Sequence, residues 1–288
     1  MSSPAGLNGN MRTSGLRAEF CLRDGRTALA DTYFTAPLKL AKPFPDLATG
    51  GLAVTVMDAS PGMMDGDRYV MEWRIGPGAS AAVTTQAYGR VHPCPRDGAS
   101  QSVRIFVGEG ASLVYAPQPA MLYADAAFKG SLTAELSSGA SLIILDTLCA
   151  GRVHYGGEAF RYRLYENELT VIAQGKTALA SRVRFAPGEQ MLRLPGVFER
   201  DTHVGALYGF GPFAGRAAAE ALWARAEKRS GVRCGVTVLA AGGVAAAVLG
   251  RSAWEVHETL MAMGRALAAF AAAHAPGEGA PLTWPANG

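Results

Sequence analysis

No two cysteines stand at a spacing that would ligate a metal or run dithiol chemistry. Cys21, Cys94, Cys149 and Cys234 are scattered singly along the chain, which argues against a zinc ribbon, a disulfide framework and a C-x-x-C redox motif. Unpaired thiols fit a reducing, cytoplasmic compartment. Excess charge of either sign is also missing: Lys+Arg number 27 and Asp+Glu 24, for a net charge of +3. Without a dense basic face, nucleic acid is not an expected partner.

Several catalytic signatures are absent too. There is no G-x-x-x-x-G-K-[ST] phosphate loop, so nothing points to nucleotide hydrolysis by the chain itself. There is no G-x-S-x-G elbow, and the serines that recur in turns have no base beside them in sequence. Gly209-Phe210-Gly211-Pro212-Phe213-Ala214 superficially resembles a dinucleotide fingerprint. It lacks the strand-helix-strand context and the acidic residue that would end a second strand, so a helix-initiating turn explains its glycines.

Long apolar runs are few. Cys234 to Gly250 carries no charge but is short and rich in Ala and Gly, so no membrane span is expected. It reads as a buried strand over Val232 to Leu239, a Gly242-Gly243 break and a short Ala-rich helix. The stretch from Met1 to Leu16 is rich in Ser, Gly and Asn and has no hydrophobic signal region. It is expected to be partly disordered, with the folded domain running over 17–288.

What is present is enough to bury a sizeable core: 288 residues, 49% of them hydrophobic, which suits one large domain or two intimate ones. The most informative feature is a triplet that occurs three times, Gly78-Ala79-Ser80, Gly110-Ala111-Ser112 and Gly139-Ala140-Ser141. Ahead of each lies a period-two strand. Tyr69, Met71, Trp73 and Ile75 share one face of the first, Val103, Ile105 and Val107 of the second, and Leu132, Ala134 and Leu136 of the third. Arg68, Glu72, Arg74, Arg104 and Glu135 face water.

After each triplet comes a nearly continuous apolar run, Ala81-Ala82-Val83, Leu113-Val114-Tyr115 and Leu142 to Leu145, as expected of a strand covered on both faces. Each unit is an outer strand, a turn and an inner strand. Such a unit cannot cover its own apolar face, so stacking copies into a layered, β-helix-like body over 17–200 is expected. A plain β-sandwich whose turns use Gly-Ala-Ser is the alternative. At matching offsets the inner strands run into Thr84, Thr85 and Gln86, then Gln118, then Asp146 and Thr147. In register they would form a polar column, satisfied by water in an internal path or by ordinary turn hydrogen bonds.

Alternation continues through Ala180 to Phe185 and Gln190 to Leu194, and over 201–288 strands give way to helices. One helix is expected from Phe213 to Lys228, with Pro212 at its start. A second opens on a capping-box spacing, Ser252-Ala253-Trp254-Glu255, and carries Val256, Leu260, Met263, Leu267 and Phe270 on one stripe. That stripe would pack on the sheet, or else receive a partner helix. His92-Pro93-Cys94 offers two ligands that suit nickel or zinc, yet two ligands do not make a site, and an ordinary loop with a free cysteine is the alternative.

Taken in order, Gly66-Asp67-Arg68, Thr84-Thr85-Gln86-Ala87, Ala116-Pro117-Gln118 and Gly151-Arg152 with Gly157-Glu158-Ala159-Phe160 resemble the motif series of the UreD (UreH) family of urease accessory proteins. The chain departs from the family at Ser60-Pro61-Gly62-Met63, at Val114 and at Arg90-Val91-His92. The resemblance implies a mainly β, β-helix-like body with C-terminal helices packed on it. It further implies a non-enzymatic scaffold that binds UreF, through it the GTPase UreG, and apo-urease. No cofactor is implied as permanently bound, only nickel in transit through a water-filled tunnel. The candidates to line that tunnel are Asp67, Thr84, Thr85, Gln86, Gln118, Asp146, Arg152 and Glu158. Outside the family, the pattern would fit a β-solenoid carbohydrate-binding module or enzyme.

Overall fold

The computed structural model describes residues 12–226, 230–274 and 279–285. In chain order the strands are β1 (Arg12–Arg23), β2 (Arg26–Phe34), β3 (Leu38–Leu40), β4 (Phe44–Pro45), β5 (Leu52–Asp58), β6 (Asp67–Ile75), β7 (Ser80–Thr85), β8 (Gly89–Val91) and β9 (Ala99–Val107). They continue with β10 (Ser112–Ala116), β11 (Ala120–Leu122), β12 (Ala127–Leu136), β13 (Ser141–Cys149), β14 (Leu164–Ala173), β15 (Lys176–Phe185) and β16 (His203–Phe210). Helix α1 (Arg216–Ala226) precedes β17 (Val232–Val238) and β18 (Val244–Gly250), and α2 (Ala253–His274) follows. No described helix is long and apolar enough to cross a membrane.

Two sheets form. The outer one runs β15-β14-β12-β9-β6-β1-β2 and the inner one β17-β18-β16-β13-β10-β7-β5-β3. Within the stack the pairing is parallel in both layers, β6 to β9 to β12 to β14 outside and β5 to β7 to β10 to β13 inside. An antiparallel sandwich would pair otherwise, so the layered architecture holds. Trp73, Ile105, Ala134 and Val171 from the outer sheet are buried against Leu113, Leu142 and Ile144 from the inner one.

The triplet builds the arch between the layers. Gly78, Gly110 and Gly139 all have positive φ, at 67°, 58° and 66°, which favours glycine. The next residue, alanine each time, donates its N–H three residues back, to Gly76, Gly108 or Ser137. The serines then fall in register, Ser80 with Ser112 and Ser112 with Ser141.

Those serines do more than turn the chain. Residues 279–285 cross the arches as an extended strap: Pro281 O accepts from Ser80 Oγ and Ser112 Oγ, and Thr283 Oγ1 lies 2.7 Å from both Ser80 Oγ and Thr49 Oγ1. Trp284 then packs on Gly264 of α2, where a Cβ would meet its ring at 2.3 Å. The strap therefore ties the arches to the helical layer.

Four local expectations are corrected. Arg12–Leu16 belongs to β1 and pairs with β2 and β6, so order begins earlier than 17; residues 1–11 lie outside the described residues. Val244–Gly250 is a strand and not an Ala-rich helix, because Gly242 and Gly243, both at positive φ, close a hairpin that pairs it with β17 and β16. Tertiary pairing overrides alanine's helix preference. β17 is mostly exposed on the sheet edge instead of buried. Gln190–Leu194 forms turns with no strand partner, burying Leu192 and exposing Met191.

The helices otherwise follow their patterns. α1 starts at Arg216, after Gly211 at φ 144° and Pro212 have redirected the chain; Lys228, at its expected end, lies outside the described residues. α2 is capped by Ser252 Oγ, which accepts the Glu255 N–H at 3.4 Å. It buries Val256, Leu260, Met263 and Leu267 against β13, β16 and β18.

Candidate functional site

Where the inner strands end, opposite the beginnings of the outer strands, the two sheets enclose a cavity of about 190 Å³. That is well above the roughly 10–15 Å³ one water needs. Two polar rows face each other across it. From the inner layer come Asp58 at the end of β5, Thr85 at the end of β7 and Gln86 just after it, Gln118 after β10 and Asp146 on β13. From the outer layer come Tyr69, Gln101, Gly130 and Asn167, which fall in one line of register across β6, β9, β12 and β14.

Two residues further along the same strands, Met71, Val103, Leu132 and Leu169 form an apolar floor. The period of two that points residues inward therefore places one polar layer directly on an apolar one. Gly130 leaves room in the polar row, since a Cβ there would meet Asn167 Oδ1 at 2.3 Å.

Asp146 is the deepest charged group of the cavity. Asn167 Nδ2 donates to its Oδ2 at 2.8 Å, and the phenol of Tyr165 lies against it. Burial pushes this carboxyl above the usual aspartate range, partly offset by those hydrogen bonds. Burial likewise raises the phenols of Tyr115, Tyr165 and Tyr208 around it, so they remain protonated donors. A carboxylate held this way gains by taking up either a proton or a cation.

The residues singled out from sequence divide. Thr85, Gln86, Gln118 and Asp146 share the cavity, and Thr85 Oγ1 also accepts the Gln118 N–H at 2.9 Å. Thr84 is buried and donates to Ala116 O at 2.8 Å, within the ladder and outside the lining. Asp67 is also outside it, accepting the Met64 N–H at 2.8 Å in the turn that starts β6. Arg152 and Glu158 pair with each other in the loop after β13, away from the cavity lining. The arginine stacks over Tyr123 and Tyr155 at 4.2 and 4.3 Å, and its hydrogen bonds hold the Glu158 carboxyl below its usual range.

His92 and Cys94 have separate partners. His92 Nε2 lies 3.1 Å from Pro61 O, whereas the buried Cys94 thiol, pushed up by burial, donates to His92 O. Among the described residues, no three of His, Cys, Asp and Glu come together in a way that could hold a metal.

Sequence reasoning missed the outer row. Gln101 stands two residues before the inward Val103, so extending that alternation by one step would have placed it in the cavity; Asn167 lies on β14, which no Gly-Ala-Ser triplet marks. Asp58 was missed because β5 lacks the Gly-Ala-Ser arch.

Comparison with known proteins agrees with the family resemblance. A family profile described as UreD urease accessory protein matches residues 12–281. Urease accessory protein UreD of Acetivibrio thermocellus is 37% identical over 180 residues, covering 62% of this chain and 68% of that protein. Its counterpart from Deinococcus radiodurans is 33% identical over 245 residues, covering 84% and 87%. UreH of Helicobacter pylori strain J99 is 31% identical over 183 residues, covering 62% and 67%. With its stacked β body, C-terminal helices and a match over nearly its whole length, the chain belongs to the UreD family of urease accessory proteins.

Proposed function

We propose that this chain is a non-enzymatic urease maturation factor of the cytoplasm. It joins apo-urease to UreF and, through it, to the GTPase UreG, and nickel passes to the urease active site by way of the cavity between the sheets. The observation that carries this proposal is the pair of facing polar rows, which supply carboxylate, amide and phenol oxygens and no thiolate or imidazole. Transit demands weak binding. Sulfur and imidazole would retain a late first-row divalent ion, whereas water and carboxylate oxygen release it.

Asp146 is the holding point along this route. Its desolvated carboxylate exchanges a proton for the ion, and Asn167 fixes its orientation. Gln86, Gln118 and Gln101 replace parts of the hydration shell between the ends of the cavity. Asp67, Arg152 and Glu158 shape the loops around it. A carbohydrate-binding role would call for a row of exposed aromatics at one repeat position of the stack, but Trp73 is buried, the exposed Trp223 and Trp254 lie on the helices, and the exposed Tyr33, Phe34 and Phe44 lie on β2 and β4, outside the parallel stack.

The test is Asp146→Asn, which keeps the size of the side chain and one oxygen to accept from Asn167 and removes the charge. The variant complex should assemble with UreF, UreG and apo-urease at wild-type yield but activate urease poorly. Full activation by the variant would remove the cavity from the route.

A further inference from the structure

The inner polar column has a fourth member that the triplet repeat conceals. β5 pairs in parallel with β7, Leu52 with Ala81 and Val56 with Thr85, so Gly51 stands at the register of Ser80, where the other inner strands carry serine. The reason lies in the strap. A Cβ at Gly51 would sit 1.8 Å from Thr283 Oγ1, so only glycine just before β5 admits Thr283. β5 ends on Asp58, one residue past the register of Gln86 since Val56 pairs with Thr85, and Asp58, Gln86, Gln118 and Asp146 all line the cavity.

Their exposure is graded. Asp58 and Gln86 are exposed, and Gln118 and Asp146 are half-buried. The carboxylates occupy the two ends. Three strand spacings of about 4.8 Å place them roughly 14 Å apart. Asp58 is held in position: Oδ1 accepts from Ser60 Oγ at 2.6 Å and from Ser60 N at 2.9 Å, and Oδ2 accepts from Tyr69 OH at 3.1 Å. Tyr69 is itself the first member of the outer polar row. A carboxylate has about four lone-pair sites, so one remains for a cation or its water.

We infer that Asp58 is the mouth carboxylate of the cavity, the point at which a hydrated divalent cation exchanges between the outside and the polar rows. This rests on the proposed role of the cavity and adds a direction to it, with an open end at Asp58 and a deep end at Asp146. A fixed negative charge at the rim of a low-dielectric cleft raises the local concentration of cations. Arg90 lines the same cavity and is exposed, so its charge opposes that effect. The two residues therefore predict shifts of opposite sign, which general damage to the fold would not produce.

The experiment is reconstituted activation of apo-urease by the full accessory complex, titrated with nickel at low salt. Asp58→Asn should raise the nickel concentration for half-maximal activation roughly tenfold, the lower end of what charge focusing gives at a cleft. The plateau should be unchanged, and Asp58→Glu should restore the wild-type curve. Arg90→Ala should shift the curve the other way. If Asp58→Asn leaves the curve in place while Asp146→Asn lowers activation, the mouth assignment is overturned and the cavity route stands. If neither variant changes activation, the route itself fails. Should Asp58→Asn prevent assembly, Arg90→Ala decides: a shift to lower nickel supports the mouth, and an unmoved curve overturns it.

Discussion

Replacing Gly51 with alanine adds a single methyl group at the point where the strap crosses the first arch. Its carbon would sit 1.8 Å from Thr283 Oγ1 and 2.9 Å from both Thr283 Cβ and the carbonyl oxygen of Ser80. Thr283 is fully buried, so one element has to yield. If the strap stays, the overpacked site costs about 1–3 kcal/mol. If it shifts, the bonds from Thr283 to Ser80 and Thr49, and those from the serines to Pro281, are strained or lost at about 1 kcal/mol each. The cheaper response sets the result, so Gly51→Ala should destabilise the protein by about 1–3 kcal/mol. In a Thr283→Ala background the hydroxyl that clashes is gone, and the same change should cost about 1 kcal/mol less. Urea unfolding of the four proteins of this cycle, followed by circular dichroism, measures the coupling. A neutral Gly51→Ala, or strict additivity with Thr283→Ala, would refute the strap's role as a packed clasp.

Two further predictions concern pH. His203 is nearly fully buried, and burial, with His154 nearby, lowers its pKa to about 4. The unfolded chain therefore binds the proton more readily, so stability is complete above about pH 6.5 and is lost as pH falls toward 4, by about 3 kcal/mol. His203→Gln should flatten that acid limb in thermal unfolding, and an unchanged limb would refute the assignment. Asp146 behaves in the opposite sense: burial raises its pKa, so its contribution is present below the ordinary aspartate range and is lost as pH rises through the raised value. Asp146→Asn should therefore gain stability relative to wild type with rising pH, and a difference that does not vary with pH would contradict the buried carboxylate.

The stack was legible because its cause is local and repeated. A glycine at positive φ, an alanine that closes the turn and a serine that opens the inner strand recur in each unit, and their spacing alone puts Ser80, Ser112 and Ser141 in register. The same spacing brought Gln86, Gln118 and Asp146 to one cavity. What stayed hidden depends on contacts distant in sequence. The first inner strand has Gly51 where the repeat has serine because Thr283, more than two hundred residues away, fills that space. Val244–Gly250 is a strand because β16 and β17 flank it, while its composition alone favours a helix. Asp67, Arg152 and Glu158 share motif positions with the column yet serve loops, since a motif fixes which residues are present and not which way they turn.

The most direct test of the central claim narrows the cavity without replacing a charged residue. Gly130 lies within the polar row, where a Cβ would already press on Asn167 at 2.3 Å, so Gly130→Val should fill the space between Gln101 and Asn167. Urease activation should then fall to the level seen without this chain, while the proposed complex with UreF, UreG and apo-urease forms in wild-type yield. Wild-type activation through a filled cavity would contradict the account.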